Sequence, residues 1–261
     1  MEKIKKTNVS GRFYPSNPNE LASDISSYLT QNSNFHQLPK AIIAPHAGYI
    51  YSGPTAGFAY KLLKENKDKI KKVCVLSPSH YYRFSGVALG DFDYYETPLG
   101  KIPIAKKFNE NIVKLFPFLE ILPEAFEKEH ALEVHLPFLQ EVLGSFELLP
   151  LIVGPSEPED LAKIFSYLEN EGFFFVISSD LSHFHPYNEA CAIDEKTCQM
   201  VEEKNYHYLS GDRMCGVYPV RGLLKWAEDE NFKIKRLDLS NSGDTAGDHS
   251  SVVGYGSFAI Y

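Results

Sequence analysis

Three apolar, strand-like runs in this chain each end in a short loop that carries histidine. Ala41-Ile42-Ile43-Ala44 leads into Pro45-His46-Ala47-Gly48-Tyr49, and Val73-Cys74-Val75-Leu76 into Ser77-Pro78-Ser79-His80. The run from Phe173 to Ile177 leads into Ser178-Ser179-Asp180-Leu181-Ser182-His183. In open α/β sheets the chemistry sits in the crevice outside the carboxyl ends of the strands. Three histidines delivered to strand ends therefore converge on one spot, as metal ligands or acid/base groups do. One loop alone would equally be a buried histidine bonded to a carbonyl.

The rest of the chain supplies the helices. Asn17-Pro18-Asn19-Glu20 reads as a helix start, with Asn17 as N-cap, Pro18 at the first position and Glu20 closing a capping box. Gly53-Pro54 reads as the start of a second helix. Further helices are expected near 104–116, 159–169, 187–204 and 219–229, the last opening at Pro219. Strands are expected at Gly86–Leu89, Glu147–Val153 and Ser251–Tyr261, and the aperiodic stretch from Tyr82 to Gly100 leaves room for a hairpin bordering the site. Strands alternating with helices predict a sheet between helical layers. With no repeat, low-complexity tract or linker, residues 1–261 read as one domain.

Composition excludes some partners. The chain has 261 residues, a net charge of -8 and no basic run, which argues against a nucleic-acid partner. The start, Met1-Glu2-Lys3-Ile4-Lys5-Lys6, lacks a signal peptide's apolar stretch, and no window reaches membrane-span length. Among the four cysteines, Cys191 and Cys198 fall seven apart in an expected helix. That is roughly 10 Å along its axis, too far for a disulfide. A reduced, cytoplasmic protein is the expectation.

Two further segments carry polar density. Glu129-His130-Ala131-Leu132-Glu133-Val134-His135 misses the zinc-peptidase patterns His-Glu-x-x-His and His-x-x-Glu-His by one residue. It reads instead as a cavity wall or a layer supporting the metal ligands. Asn241-Ser242-Gly243-Asp244-Thr245-Ala246-Gly247-Asp248-His249 precedes a strand and reads first as an ordinary turn. It could also return a carboxylate to the histidines, and two histidines plus one carboxylate make the facial triad of non-haem Fe(II) oxygenases. His183 near Asp180 has the composition of an oriented general base, although Asp180 capping a turn would look the same. No Gly-x-Ser-x-Gly elbow supports a serine nucleophile.

Taken in order, Pro45-His46-Ala47-Gly48-Tyr49, Pro78-Ser79-His80, Glu129-His130 through His135-Leu136-Pro137, Ser178-Ser179-Asp180 with His183, Cys215-Gly216 and Ser250-Ser251-Val252 resemble the Memo family. In prokaryotes this is protein B of the AmmeMemoRadiSam system. The family looks structurally like class III (LigB-type) extradiol dioxygenases, which implies a three-layer α/β/α fold with a mixed central sheet. By that resemblance His46 and His80 match metal-site histidines, and His183, accompanied by Asp180, matches the acid/base. Phe13 and Tyr51 match pocket aromatics. Counting back from Ser250-Ser251-Val252 puts the animal proteins' pocket cysteine at Asp244, with Asp248 as the fallback. A carboxylate there suits Fe(II), with zinc or copper as substitutes, whereas a thiolate favours Cu(I). The resemblance implies a metal-dependent redox enzyme with a small aromatic or tyrosyl substrate. It implies alternatively a binding module for a phosphotyrosine-like peptide or protein partner.

Overall fold

The computed structural model describes residues 2–30 and 37–261. In chain order the elements are β1 (Ile4–Lys5), α1 (Pro18–Tyr28), β2 (Ala41–Ala44), α2 (Tyr49–Lys64), β3 (Lys72–Pro78), β4 (Val87–Leu89), β5 (Tyr94–Thr97) and β6 (Gly100–Pro103). Next come α3 (Lys106–Leu115), β7 (Leu119–Ile121), α4 (His135–Leu143), β8 (Glu147–Val153), α5 (Pro158–Asn170), β9 (Phe174–Ser178) and β10 (His183–His185). The chain closes with α6 (Tyr187–Glu202), α7 (Val217–Asp229), β11 (Ile234–Asn241), α8 (Ser242–Ala246) and β12 (Val252–Ile260).

Nine strands form one mixed sheet in the order β10-β12-β2-β9-β3-β8-β4-β7, with β11 also paired to β12. Its centre, β2-β9-β3-β8, is parallel, and β12 and β4 flank it antiparallel. Alternation along the central strands builds two cores, because successive side chains point to opposite faces. Ile42, Ala44, Val73, Val75 and Val176 pack against Leu21, Leu62 and Leu139 of α1, α2 and α4. Ala41, Ile43, Cys74, Leu76 and Phe175 pack on the other face against Phe165 of α5 and Trp226 of α7. The fold is therefore a three-layer α/β/α sandwich, as expected.

Asn17 caps α1, accepting the N–H groups of Asn19 and Glu20. The second helix departs from expectation: α2 begins at Tyr49, so Gly53 and Pro54 lie inside it. The Tyr49 N–H is anchored on the Phe13 carbonyl, 2.7 Å away, which fixes the first turn without a proline. Pro54 removes a bond to the carbonyl of Ile50, a residue 69% exposed, where water can replace it. Gly53 and Gly57 let α1 cross closely, since a Cβ at Gly57 would lie 2.2 Å from the Tyr28 carbonyl oxygen. Similarly α7 starts at Val217, with Pro219 in its first turn, where a helix needs no N–H. The hairpin is β5–β6, beyond much of the stretch expected to hold it. It belongs to a separate three-stranded sheet with β1 and does not border the site.

Candidate functional site

Strand ends β2, β3 and β9 meet at the carboxyl edge of the parallel centre, and their loops bring His46, His80 and Asp180 together. The His46 and His80 rings lie 5.3 Å apart between centroids. His130, from the loop before α4, joins them at 5.6 Å and 4.9 Å respectively. Cys215, just before α7, comes in from the other side with its Sγ 3.3 Å from His46 Nε2. Gly216 permits this approach: a Cβ there would sit 2.4 Å from the Ser178 carbonyl oxygen.

Hydrogen bonding fixes which imidazole nitrogens are free. Ser178 donates its hydroxyl proton to the Ala131 carbonyl, so its oxygen must accept from His46 Nδ1, at 2.6 Å. His80 Nδ1 faces Glu129 Oε1 at 2.9 Å, and His183 Nδ1 faces the Leu181 carbonyl at 2.8 Å. A carboxylate or carbonyl can only accept, so each of these three rings carries a proton on Nδ1, and in its neutral form leaves Nε2 bare. Ligand atoms of His46, His80 and Cys215 all lie within 4.8 Å of one another. A second group with the same spacing is His80, Glu129 and His130.

Burial sets the charge state. It holds His46 well below its ordinary pKa, with the neighbouring histidines adding to the effect. Burial likewise pulls His130 down to about 4 and lowers His183. His80 is pulled down by burial too, but the hydrogen bond and charge of Glu129 outweigh that and raise it overall. Burial pushes the Asp180 carboxyl up to about 7, against the stabilising N–H of His46. The Cys215 thiol is pushed up by burial and by the Asp180 charge. His46, His130 and His183 are thereby favoured as neutral rings, the state in which imidazole binds metal, while Glu129 favours the charged form of His80.

Beside the cluster opens a cavity of about 500 Å³, whose walls include Phe13, Tyr51, His130, Asp180, His183 and Tyr255. Phe13 packs edge-on against His130 at 5.0 Å. A bulge in the β10–β12 pairing falls at His183–His185, with Phe184 between them at a left-handed φ of 64°. Bulges of this kind re-aim a side chain, here His183, next to a site.

Most of the expected residues meet here, though not all in the expected pairings. Phe13, Tyr51, Asp180 and His183 line the cavity, and His46 and His80 adjoin it. Asp180 does not orient His183: its Oδ1 accepts the His46 backbone N–H at 2.7 Å, and the Leu181 carbonyl holds His183. Asp244 is not brought to the cluster. Its carboxylate caps α8 through the Asn241 N–H at 2.9 Å and accepts from the Tyr187 hydroxyl at 2.6 Å. Asp248 reaches the cavity wall, but among the described residues neither potential ligand group contains either aspartate. Cys215, not Asp244, is the residue that lies beside His46 and His80. The Cys215-Gly216 pair was visible in the sequence, but no strand-like run marked it as a site residue. Glu129 and His130 were read as a wall, and the structure also brings them within ligand distance of His80.

The architecture defines an α/β/α protein with a histidine-rich centre at the carboxyl edge of its sheet. The profile of the Memo-like protein family matches residues 5–259. A MEMO1 family protein of Aquifex aeolicus is 36% identical over 266 residues, covering 97% of each chain. Those of Thermoplasma volcanium and Methanocaldococcus jannaschii are each 32% identical, covering 97% and 100% of both chains respectively. The chain belongs to the Memo family. Among the described residues no helix is long and apolar enough to cross a membrane.

Proposed function

We propose that this chain is a metal-dependent redox enzyme whose ion is held by His46, His80 and Cys215 and whose substrate is a small aromatic or tyrosyl group. The observation that carries this reading is the convergence of two histidines and a thiol whose ligand atoms lie within 4.8 Å of one another. That donor set fits a soft or borderline ion, copper or zinc ahead of Fe(II), because sulfur replaces the carboxylate. A bound copper or iron ion would supply one-electron redox chemistry and Lewis acidity. The resemblance of the sequence motifs to a family that looks like class III extradiol dioxygenases supports the same reading.

The remaining groups have distinct tasks. Phe13, Tyr51 and Tyr255 offer flat apolar surface to a ring. His183, with Nδ1 committed to Leu181, presents bare Nε2 as proton acceptor for a substrate hydroxyl. Asp180 fixes the His46 loop through its backbone, and burial, which lifts its carboxyl to about 7, reduces the charge it brings to the pocket near neutral pH. Four free cysteines support a reducing, cytoplasmic setting.

A second reading, a module that docks a tyrosine-bearing peptide of a protein partner, is favoured by Arg12 in the cavity wall and by Ile50, 69% exposed, and Phe184, 76% exposed, from the flanking segments. Oxygen uptake by metal-loaded protein with catechols and tyrosyl peptides separates the two. The enzyme reading expects uptake that His183→Ala abolishes while metal content stays at the wild-type level. Tight peptide binding that ignores metal removal, with no uptake, favours the docking module.

A further inference from the structure

The chain has five arginines. Arg12 bonds the Asn8 carbonyl at 2.7 Å, Arg213 the Thr197 hydroxyl at 3.5 Å, and Arg236 the Glu195 carboxylate at 2.7 Å. Among the described residues, Arg83 and Arg221 have no hydrogen-bond or ion-pair partner. Arg83 is exposed, but Arg221 is half-buried, and its Nε is fully covered without an acceptor. Leaving a covered guanidinium nitrogen unbonded costs free energy, so it marks a place where an acceptor belongs.

These two arginines share one groove, which runs over the ends of β3 and β8. Two cavities of about 570 Å³ each adjoin there: Arg83 lines one, Arg221 the other, and Ser85, Pro155 and Tyr218 line both. Tyr218 precedes Arg221 by three residues on α7, so the two share a face. The backbone beneath is locked, with the Gly154 N–H on the Gly86 carbonyl and the Gly86 N–H on the Pro155 carbonyl, both at 2.9 Å. The Ser85 and Tyr218 hydroxyls bond to nothing among the described residues. Two carboxylates also face the second cavity. Glu157 is exposed, Asp160 is engaged by Lys163 at 2.8 Å, and neither pairs with an arginine. The groove has no lining residue in common with the aromatic cavity.

We propose that this groove binds a small molecule with two oxyanionic groups, carboxylate or phosphate, one held by Arg83 and the other by Arg221. The forked donors of a guanidinium match either oxyanion through two parallel bonds. Ser85 and Tyr218, common to both halves, supply hydroxyls and a flat wall to the middle of the occupant. The chain's net charge of -8 does not draw anions in from a distance, so affinity comes from these contacts. A ligand with one anionic group satisfies only one arginine and binds more weakly. This site is independent of the metal reading and of the aromatic cavity.

The test is calorimetric titration of the full chain at fixed ionic strength with succinate, citrate and pyrophosphate, and with acetate as the probe carrying one group. At least one of the first three is expected to bind about one per chain and more tightly than acetate. Arg83→Gln and Arg221→Gln are each expected to weaken it at least about tenfold, and Lys101→Gln, a cation far from the groove, to leave it within about twofold. Arg221→Lys keeps the charge and the stem but not the fork, so it is the second variant should the glutamine form fold poorly, and it too should bind more weakly than wild type. A preference for pyrophosphate makes the ligand a phosphate compound, and a preference for succinate or citrate makes it a carboxylate. No saturation below about 10 mM with any probe overturns the proposal, as does binding that either arginine variant leaves within about twofold or that Lys101→Gln weakens equally.

Discussion

The metal-free protein is expected to lose stability steeply as pH falls from 6.5 toward 4, and His135 is expected to carry a large share of that loss. His135 opens α4 at 1% exposure, with Nδ1 on the Tyr60 hydroxyl at 2.8 Å and Nε2 without a partner. Burial lowers its pKa to about 3. The folded value lies below the unfolded one, so below pH 6.5 the unfolded chain takes up a proton that the folded chain refuses. The stability is full above about 6.5 and drains away as pH falls toward 3, by roughly 4–5 kcal/mol for this one group. His46 and His130 act in the same direction. Asp180, raised to about 7, acts oppositely and lowers stability as pH rises from about 4 to 7. Urea unfolding at successive pH values reads the slope. His135→Gln keeps a polar partner for Tyr60 and removes the titration, so its curve should be flatter than wild type across this interval. Curves that run parallel would mean that His135 is protonated equally in both states.

Glu133→Ala is expected to cost about 3–5 kcal/mol of unfolding free energy, because it strips the acceptor from a buried set of donors. The Glu133 carboxylate is fully buried and takes the N–H groups of Asn8 and Val9, at 2.6 and 3.0 Å, and the Tyr14 hydroxyl at 2.6 Å. Those bonds tie the N-terminal segment to the loop before α4. The same segment carries Arg12 and Phe13 into the cavity wall, and the Phe13 carbonyl anchors the start of α2. Loss of Glu133 should therefore weaken aromatic ligands in the cavity as well as stability. A variant that unfolds within about 1 kcal/mol of wild type would show that water replaces the carboxylate at this point.

What could be read from the sequence was what is local. His46, His80 and His183 each follow an apolar run directly, and a strand end dictates where the next few residues lie. Cys215 has no such run before it: packing of α7 and the bare Gly216 backbone against the end of β9 brings it in. Asp180 and His183 are neighbours in sequence, which invited pairing them, but the turn after β9 spends the carboxylate on the His46 loop. The Glu129 loop failed a helical zinc pattern, and correctly so, since its residues precede α4. Their role depends on meeting His80 across the sheet edge, which no spacing along the chain encodes. Pro54 misled for a related reason, since the anchor that starts α2 comes from Phe13, far away in sequence.

The central claim is that the centre is built around the Cys215 thiol and not around a C-terminal carboxylate. Anaerobic Cu(I) titration of wild type, Cys215→Ser and Asp244→Asn tests it most directly. Wild type and Asp244→Asn should each bind about one ion per chain with equal affinity, and Cys215→Ser should bind at least about tenfold more weakly. Undiminished binding by Cys215→Ser, together with loss in Asp244→Asn, would contradict the account and return the third ligand to the C-terminal loop.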